Sequence, residues 1–117
     1  MCNDLSAVNE RLDFLEFRQD LLFENSNVSR FLFETRTTRE QYNAIMDIMD
    51  EYRDMIDNGQ EVNHHSFEGR IYDAIGSVGD YHFGEEIAKS FMQDDRWPEV
   101  FRALYGNMDK YRCLFTD

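Results

Sequence analysis

The stretch DLSAVNERLDFLEFRQDLLFE, residues 4–24, decides how this chain folds. Val8, Leu12, Leu15, Gln19 and Leu22 follow one another in alternating steps of four and three, the period of a helical seam and not of a strand. Phe14, Phe17 and Leu21 widen the apolar surface beyond that one stripe. A helix that is apolar on more than one side needs contacts on more than one side. The spacing therefore predicts a helix buried by its own domain on one side and by a second copy on the other. Val8, Leu12, Leu15 and Leu22 are the candidate contacts of a homodimer. Between them runs an acidic row of Asp13, Glu16, Asp20 and Glu24, at spacings that stack residues on one helix face.

The helical period continues beyond this stretch. Asn25-Ser26-Asn27 interrupts it, and a short helix over 28–35 is expected to bury Phe31, Leu32 and Phe33. Thr38 with Gln41, or Thr37 with Glu40, reads as a capping box that opens a long helix. That helix turns Tyr42, Ile45, Met46, Met49, Tyr52 and Ile56 inward and stops at Asn58-Gly59. Its other face carries a second acidic row, Asp47, Asp50, Glu51, Asp54 and Asp57. A polar loop over 60–65 precedes a helix over 66–77 with Phe67, Ile71, Ala74 and Ile75 inside, its end bracketed by Gly76 and Gly79. A further helix over 81–93 buries Phe83, Ile87, Phe91 and Met92. The last helix starts near Pro98, which suits a first helical turn, and repeats Trp97, Phe101, Leu104, Met108 and Tyr111 along one face. The expected architecture is a single all-α domain over 1–117, a compact bundle of five or six helices.

Bulk composition narrows the function. The chain has 117 residues, ten Phe and six Tyr, enough for one modest core. Its net charge of −12 argues against direct nucleic-acid binding, which needs a clustered basic surface, and against an anionic membrane face. It favours a basic protein partner. Ten of the bases are Arg and only Lys89 and Lys110 are lysines, so some arginines are expected in internal ion pairs. Cys2 and Cys113 lie near opposite ends without zinc spacing and read as free thiols of a cytoplasmic protein. No apolar run reaches membrane-spanning length, and the first residues lack a secretory pattern.

Several segments together resemble a known family. They are Glu10-Arg11-Leu12-Asp13-Phe14-Leu15, Phe31-Leu32-Phe33, the Thr-x-x-Glu/Gln opening before Ile45-Met46-Asp47-Ile48-Met49, and Trp97-Pro98-Glu99-Val100-Phe101. In order and helix length they are similar to the small YhaI-like helical proteins of unknown function, over roughly residues 8–111. The resemblance implies an all-helical, oligomeric protein and no activity. The acidic rows are denser here than that pattern requires.

Each candidate chemistry has a plain alternative. His64, His65 and His82 would hold a metal only if the fold joined them to Glu61 or Glu68, and neither spacing is a standard one. Exposed loop histidines are the expected reading, and neither a metal nor a cofactor is expected. No Ser-His-Asp or Cys-His signature suggests catalysis, and Gly76-Ser-Val-Gly79 lacks the Gly-Lys pair of a phosphate loop. Met46, Met49, Met92 and Met108 read as core, and Trp97 as a helix-end packing residue or an interface anchor.

The leading expectation is a non-enzymatic inhibitor or modulator. Asp13, Glu16, Asp20, Asp47, Asp50, Glu51, Asp54 and Asp57 would face a basic, nucleic-acid-binding partner in place of phosphates. A phage-encoded, anti-CRISPR-like inhibitor of a defence nuclease fits that size and charge by analogy. The rival is a self-associating helical protein whose acidic faces are only solvated.

Overall fold

Helix α1 spans Cys2–Glu24 and ends where Asn25 turns into the left-handed region at φ 52°. Asparagine tolerates that conformation better than most residues. The computed structural model describes residues 2–76, 82–108 and 110–111, with side chains from Leu5 onward. Among them are five further helices: α2 Asn27–Glu34, α3 Arg39–Asp57, α4 His64–Ile75, α5 Phe83–Gln93 and α6 Pro98–Tyr105. No strand occurs among the described residues, and the all-α expectation holds.

Local chemistry sets each boundary. Thr38 caps α3: its Oγ1 accepts from the Gln41 N–H at 3.1 Å, and its own N–H donates to Gln41 Oε1 at 3.0 Å. Of the two boxes legible in the sequence, this one forms, while Thr37 is buried with its hydroxyl 2.8 Å from that of Thr35. At the other end Gly59, at φ 77°, donates to Ile56 O and Gln60 donates to Met55 O. These are the two bonds of a Schellman ending. Helix α4 begins two residues earlier than expected because Asn63 caps it; Asn63 Oδ1 accepts from the Ser66 N–H at 2.8 Å. His64 and His65 therefore lie in the first turn of α4 and not in the loop. Gly76 ends α4 at φ 66°, while Gly79 and Tyr81 lie outside the described residues.

Helix α6 is shorter than its apolar repeat suggested. It stops at Tyr105, and the chain turns through Gly106 and Asn107. Met108 and Tyr111 nevertheless return to the core, where Tyr111 packs edge-on to Phe101 at 5.0 Å.

Helices α3, α4, α5 and α6 close a ring, each packed on the next; α2 leans on α5 and α1 on α2. The core contains Leu32, Ile45, Met49, Tyr52, Phe67, Ile71, Ile87, Phe91, Phe101 and Tyr105. Phe31 and Phe33 are only partly buried, whereas Val28 and Ser29 are fully buried. Among the described side chains of α1, Phe17 and Leu21 alone join the core. Every side chain from Leu5 to Asp13 is exposed. The molecule accordingly measures 58 × 26 × 24 Å, with a radius of gyration of 16.0 Å. A compact chain of this length would have about 13 Å. No helix among the described residues is long and apolar enough to cross a membrane.

Candidate protein-interaction surfaces

Successive residues of a helix turn by about 100°, which gives α1 three distinct sides. The first holds Phe17 and Leu21, which dock on the domain. Arg18 secures this side: its guanidinium lies 3.8 Å from the Phe33 ring centroid and donates to Phe33 O at 2.9 Å. The opposite side carries Leu5 (69% exposed), Val8 (50%), Leu12 (57%), Leu15 (59%) and Leu22 (59%), with Gln19 also exposed. Phe23, beside Leu22, is 93% exposed. The sequence reading had Val8, Leu12, Leu15 and Leu22 but missed Leu5 and Phe23. Leu5 was detectable, since it lies three residues before Val8 and completes the spacing.

The third side is the acidic row. Asp13, Glu16, Asp20 and Glu24 are all exposed. Its N-terminal end is not purely acidic. A crevice of about 470 Å³ between α1 and the start of α3 is lined by Glu10, Arg11, Asp13, Phe14, Arg39 and Glu40, which mixes both signs.

The α3 row is tied into the fold. Trp97 donates its indole N–H to Asp50 Oδ1 at 3.0 Å, and Arg70 donates to Glu51. Arg53, which interrupts the row, pairs with Glu99 at 2.6 Å. Two of the row's five acids thus have internal partners. Asp47, Asp54 and Asp57 stay exposed; Asp47 borders, with Glu51, Arg70 and Asp73, a depression of about 380 Å³ between α3 and α4. Trp97 itself is buried edge-on against Phe91, with ring centroids 4.9 Å apart, and it precedes Pro98 in a left-handed conformation. Its role is to pack the start of α6.

The titratable groups inside the fold have structural partners. Glu85 is buried, which by itself raises its pKa. Hydrogen bonds from Lys110 at 2.6 Å and from the Tyr111 hydroxyl outweigh burial, and the pKa lies below its ordinary value. The Tyr111 and Tyr105 phenols are pushed up by burial and by their bonds to Glu85 and Glu68. The His64 ring lies tilted against that of His65, with centroids 4.1 Å apart, and 5.7 Å from the Tyr105 ring. Glu68 accepts from Tyr105 at 2.7 Å, so the carboxylate considered as a histidine co-ligand is already engaged. Among the described residues no group of three or more His, Cys, Asp or Glu is placed to hold a metal. Cys113 lies outside the described residues, as does the side chain of Cys2. No family model, curated protein or solved structure matches the chain, so the functional reading rests on this geometry.

Proposed function

We propose that this protein is non-enzymatic and works by association, pairing the exposed apolar side of α1 with that of a second copy. The observation that carries the reading is the row Leu5, Val8, Leu12, Leu15 and Leu22, at least half exposed throughout and turned away from the domain that Phe17 and Leu21 anchor. Isolated apolar residues on a surface mean little, but a contiguous patch of several hundred Å² marks a binding site. Residues 5–13 of α1 are exposed throughout, and short helices without packing are marginal in water. A partner helix supplies that packing.

The energetics suit a second copy. Burying a whole Leu or Val side chain stabilises by roughly 1.5–3 kcal/mol, so covering these half-exposed ones yields about 10–15 kcal/mol over both copies. Association costs about 4–15 kcal/mol in lost freedom. A net of about −6 kcal/mol lies within that balance and corresponds to a dissociation constant of roughly tens of micromolar, which sets the concentration to test.

The test is a mass measurement in solution by light scattering. The expected value is twice 14.0 kDa for the wild type and 14.0 kDa for Leu15→Asp, with the near-ultraviolet circular dichroism of the packed core retained. Leu15 is outside the core, so this variant keeps its fold. A wild-type monomer at that concentration refutes the reading.

Binding to a basic, nucleic-acid-binding partner is a second reading. It is supported by the exposure of Asp13, Glu16, Asp20 and Glu24 together with the net charge of −12. Its test is capture of such a partner from nuclease-treated lysate, lost with added salt and lost in Asp13→Lys/Asp20→Lys. Capture unchanged by that double reversal would sink it.

A further inference from the structure

We infer that the two copies run parallel and in register along α1, forming a short two-stranded coiled coil with the two domain bodies at one end on opposite outer sides. This rests on the self-association reading above and specifies its geometry. In coiled-coil notation the core positions a and d repeat every seven residues. Here Leu5, Leu12 and Gln19 occupy a, and Val8, Leu15 and Leu22 occupy d. Phe17 and Leu21 then fall at f and c, the outward positions. The helix can pair along its seam without giving up its anchorage to its own domain.

Two observations choose the direction, and a third calls for a partner helix in either direction. The first is Gln19, the one polar residue in the seam and exposed. In a parallel, in-register pair each a residue meets its own copy, so Gln19 faces Gln19. A carboxamide has both donors and an acceptor, and two of them satisfy each other. In an antiparallel pair with the seams fully overlapped, Gln19 faces Val8, and the amide is buried against an apolar side chain at both ends. Burial without a hydrogen-bond partner is unfavourable. A single polar a position is a known determinant of register.

The second observation is charge on the flanks. Arg11 lies at g and Glu16 at e, and both are exposed. Parallel helices set g of one chain beside the following e of the other, so Arg11 meets Glu16 of the second copy twice per dimer. Antiparallel helices set g beside g and e beside e, which in that same register brings Arg11 toward Arg18 and Glu16 toward Asn9, so the Arg11–Glu16 pair is lost and like charges meet. The third is Phe23, which is almost fully exposed and lies at e beside the Leu22 layer. Only the other helix of the pair covers it there.

Orientation is read by disulfide formation in a Cys2→Ser/Cys113→Ser background. Leu12→Cys, at an exposed seam position, should convert almost fully to a covalent dimer under mild oxidation, and adding Leu15→Asp should abolish that product. Gln19→Leu should tighten the dimer, lowering its dissociation constant roughly tenfold. It should also let mixed Leu12→Cys and Leu15→Cys chains cross-link, because the direction is no longer enforced. Suppose the protein has dimer mass, yet Leu12→Cys does not link to itself while the mixed Leu12→Cys and Leu15→Cys chains do, with Gln19 intact. The parallel arrangement is then overturned and self-association stands. A monomeric mass overturns both.

Discussion

Removing the Asp94 carboxylate should unfasten α2 from a distance of more than sixty residues in sequence. The first donors of a helix have no partner inside it. In α2 four of them are satisfied by three side chains. Ser29 Oγ accepts from the Ser26 N–H at 2.6 Å, and Ser26 Oγ accepts from the Ser29 N–H at 3.0 Å. Asp94 takes the two between: Oδ1 accepts from the Asn27 N–H at 3.1 Å and Oδ2 from the Val28 N–H at 2.8 Å. Oδ1 also accepts from Asn27 Nδ2 at 2.8 Å. Val28 is 1% exposed, so water does not replace the lost acceptor. An unsatisfied buried donor costs about 1–3 kcal/mol, and loss of a negative charge at a helix N-terminus adds about 0.3–1 kcal/mol. Asp94→Ala should therefore destabilise by about 3 kcal/mol. In urea unfolding, with a slope near 2 kcal/mol/M, the midpoint should fall by roughly 1.5 M at unchanged slope. Asp94→Asn keeps one acceptor and should lose roughly half as much.

The pH dependence has a definite sign. Burial raises the Asp94 pKa, but the bonds from Val28, Asn27 and Ser26 outweigh it and hold it below the ordinary 3.8. The unfolded chain then takes up its proton first. The contribution of Asp94 is complete above pH 3.8 and is lost as the pH falls through the lower folded value. The gap between wild type and Asp94→Asn should narrow below that point. A wild-type-like midpoint for Asp94→Ala at pH 7, or a gap constant into acid, would refute the reasoning.

Other perturbations separate structural groups from free ones. Gly84→Ala places a Cβ 3.1 Å from Glu68 Cγ and 3.3 Å from Glu68 Cα, so α4 and α5 must part slightly. A loss of about 1 kcal/mol is expected by urea unfolding, with Gly84→Val worse, and a stabilised Gly84→Ala would contradict that close approach. The phenols of Tyr105 and Tyr111 have raised pKa values, so their stabilising contribution is present below pH 10 and is lost as the pH rises above it. Ultraviolet titration of the folded protein should leave Tyr105 and Tyr111 protonated at about pH 11, and full ionisation there in a still-helical protein would exclude these bonds. Asp50→Lys should destabilise by about 1–2 kcal/mol and red-shift the emission of Trp97, whose indole loses its acceptor, whereas Asp54→Lys should stay within about 0.5 kcal/mol of wild type. Equal effects of the two would mean that the α3 row is uniform.

Much of this was legible in the chain because helical period and end signals are local. The Thr38–Gln41 box, Asn58-Gly59 and Pro98 mark their boundaries with residues that act within one turn. The α4 start was misplaced because Asn63 and Ser66 both suit a cap, and only the backbone shows which one accepts a bond. Asp94 carries no local signal of a capping role. Its role depends on α5 bringing it to the start of α2, and no spacing encodes that. The acidic rows illustrate the same limit. As letters the α1 and α3 rows look alike; in the fold Asp50 and Glu51 answer Trp97 and Arg70, while the exposed acids of the α1 row have no hydrogen-bonded partner among the described residues. Sequence gives the periodicity of charge, and tertiary placement decides which charges are already used.

That difference makes salt the variable that separates the two associations. Each copy carries −12, so two copies approaching along α1 repel, and only the leucine seam draws them together. Exposed pairs such as Arg11 with Glu16 of the second copy contribute about 0–1 kcal/mol and do not reverse that balance. Screening acts within about 10 Å at 0.1 M salt, so raising salt from about 50 to about 500 mM removes repulsion and leaves apolar burial in place. Self-association should strengthen over that range. Attraction between the α1 acidic row and a basic partner should weaken over the same range. A dimer that falls apart as salt rises would show that ion pairs, not Leu5, Val8, Leu12, Leu15 and Leu22, hold the two copies. The seam would then be removed from the account even though the dimer exists.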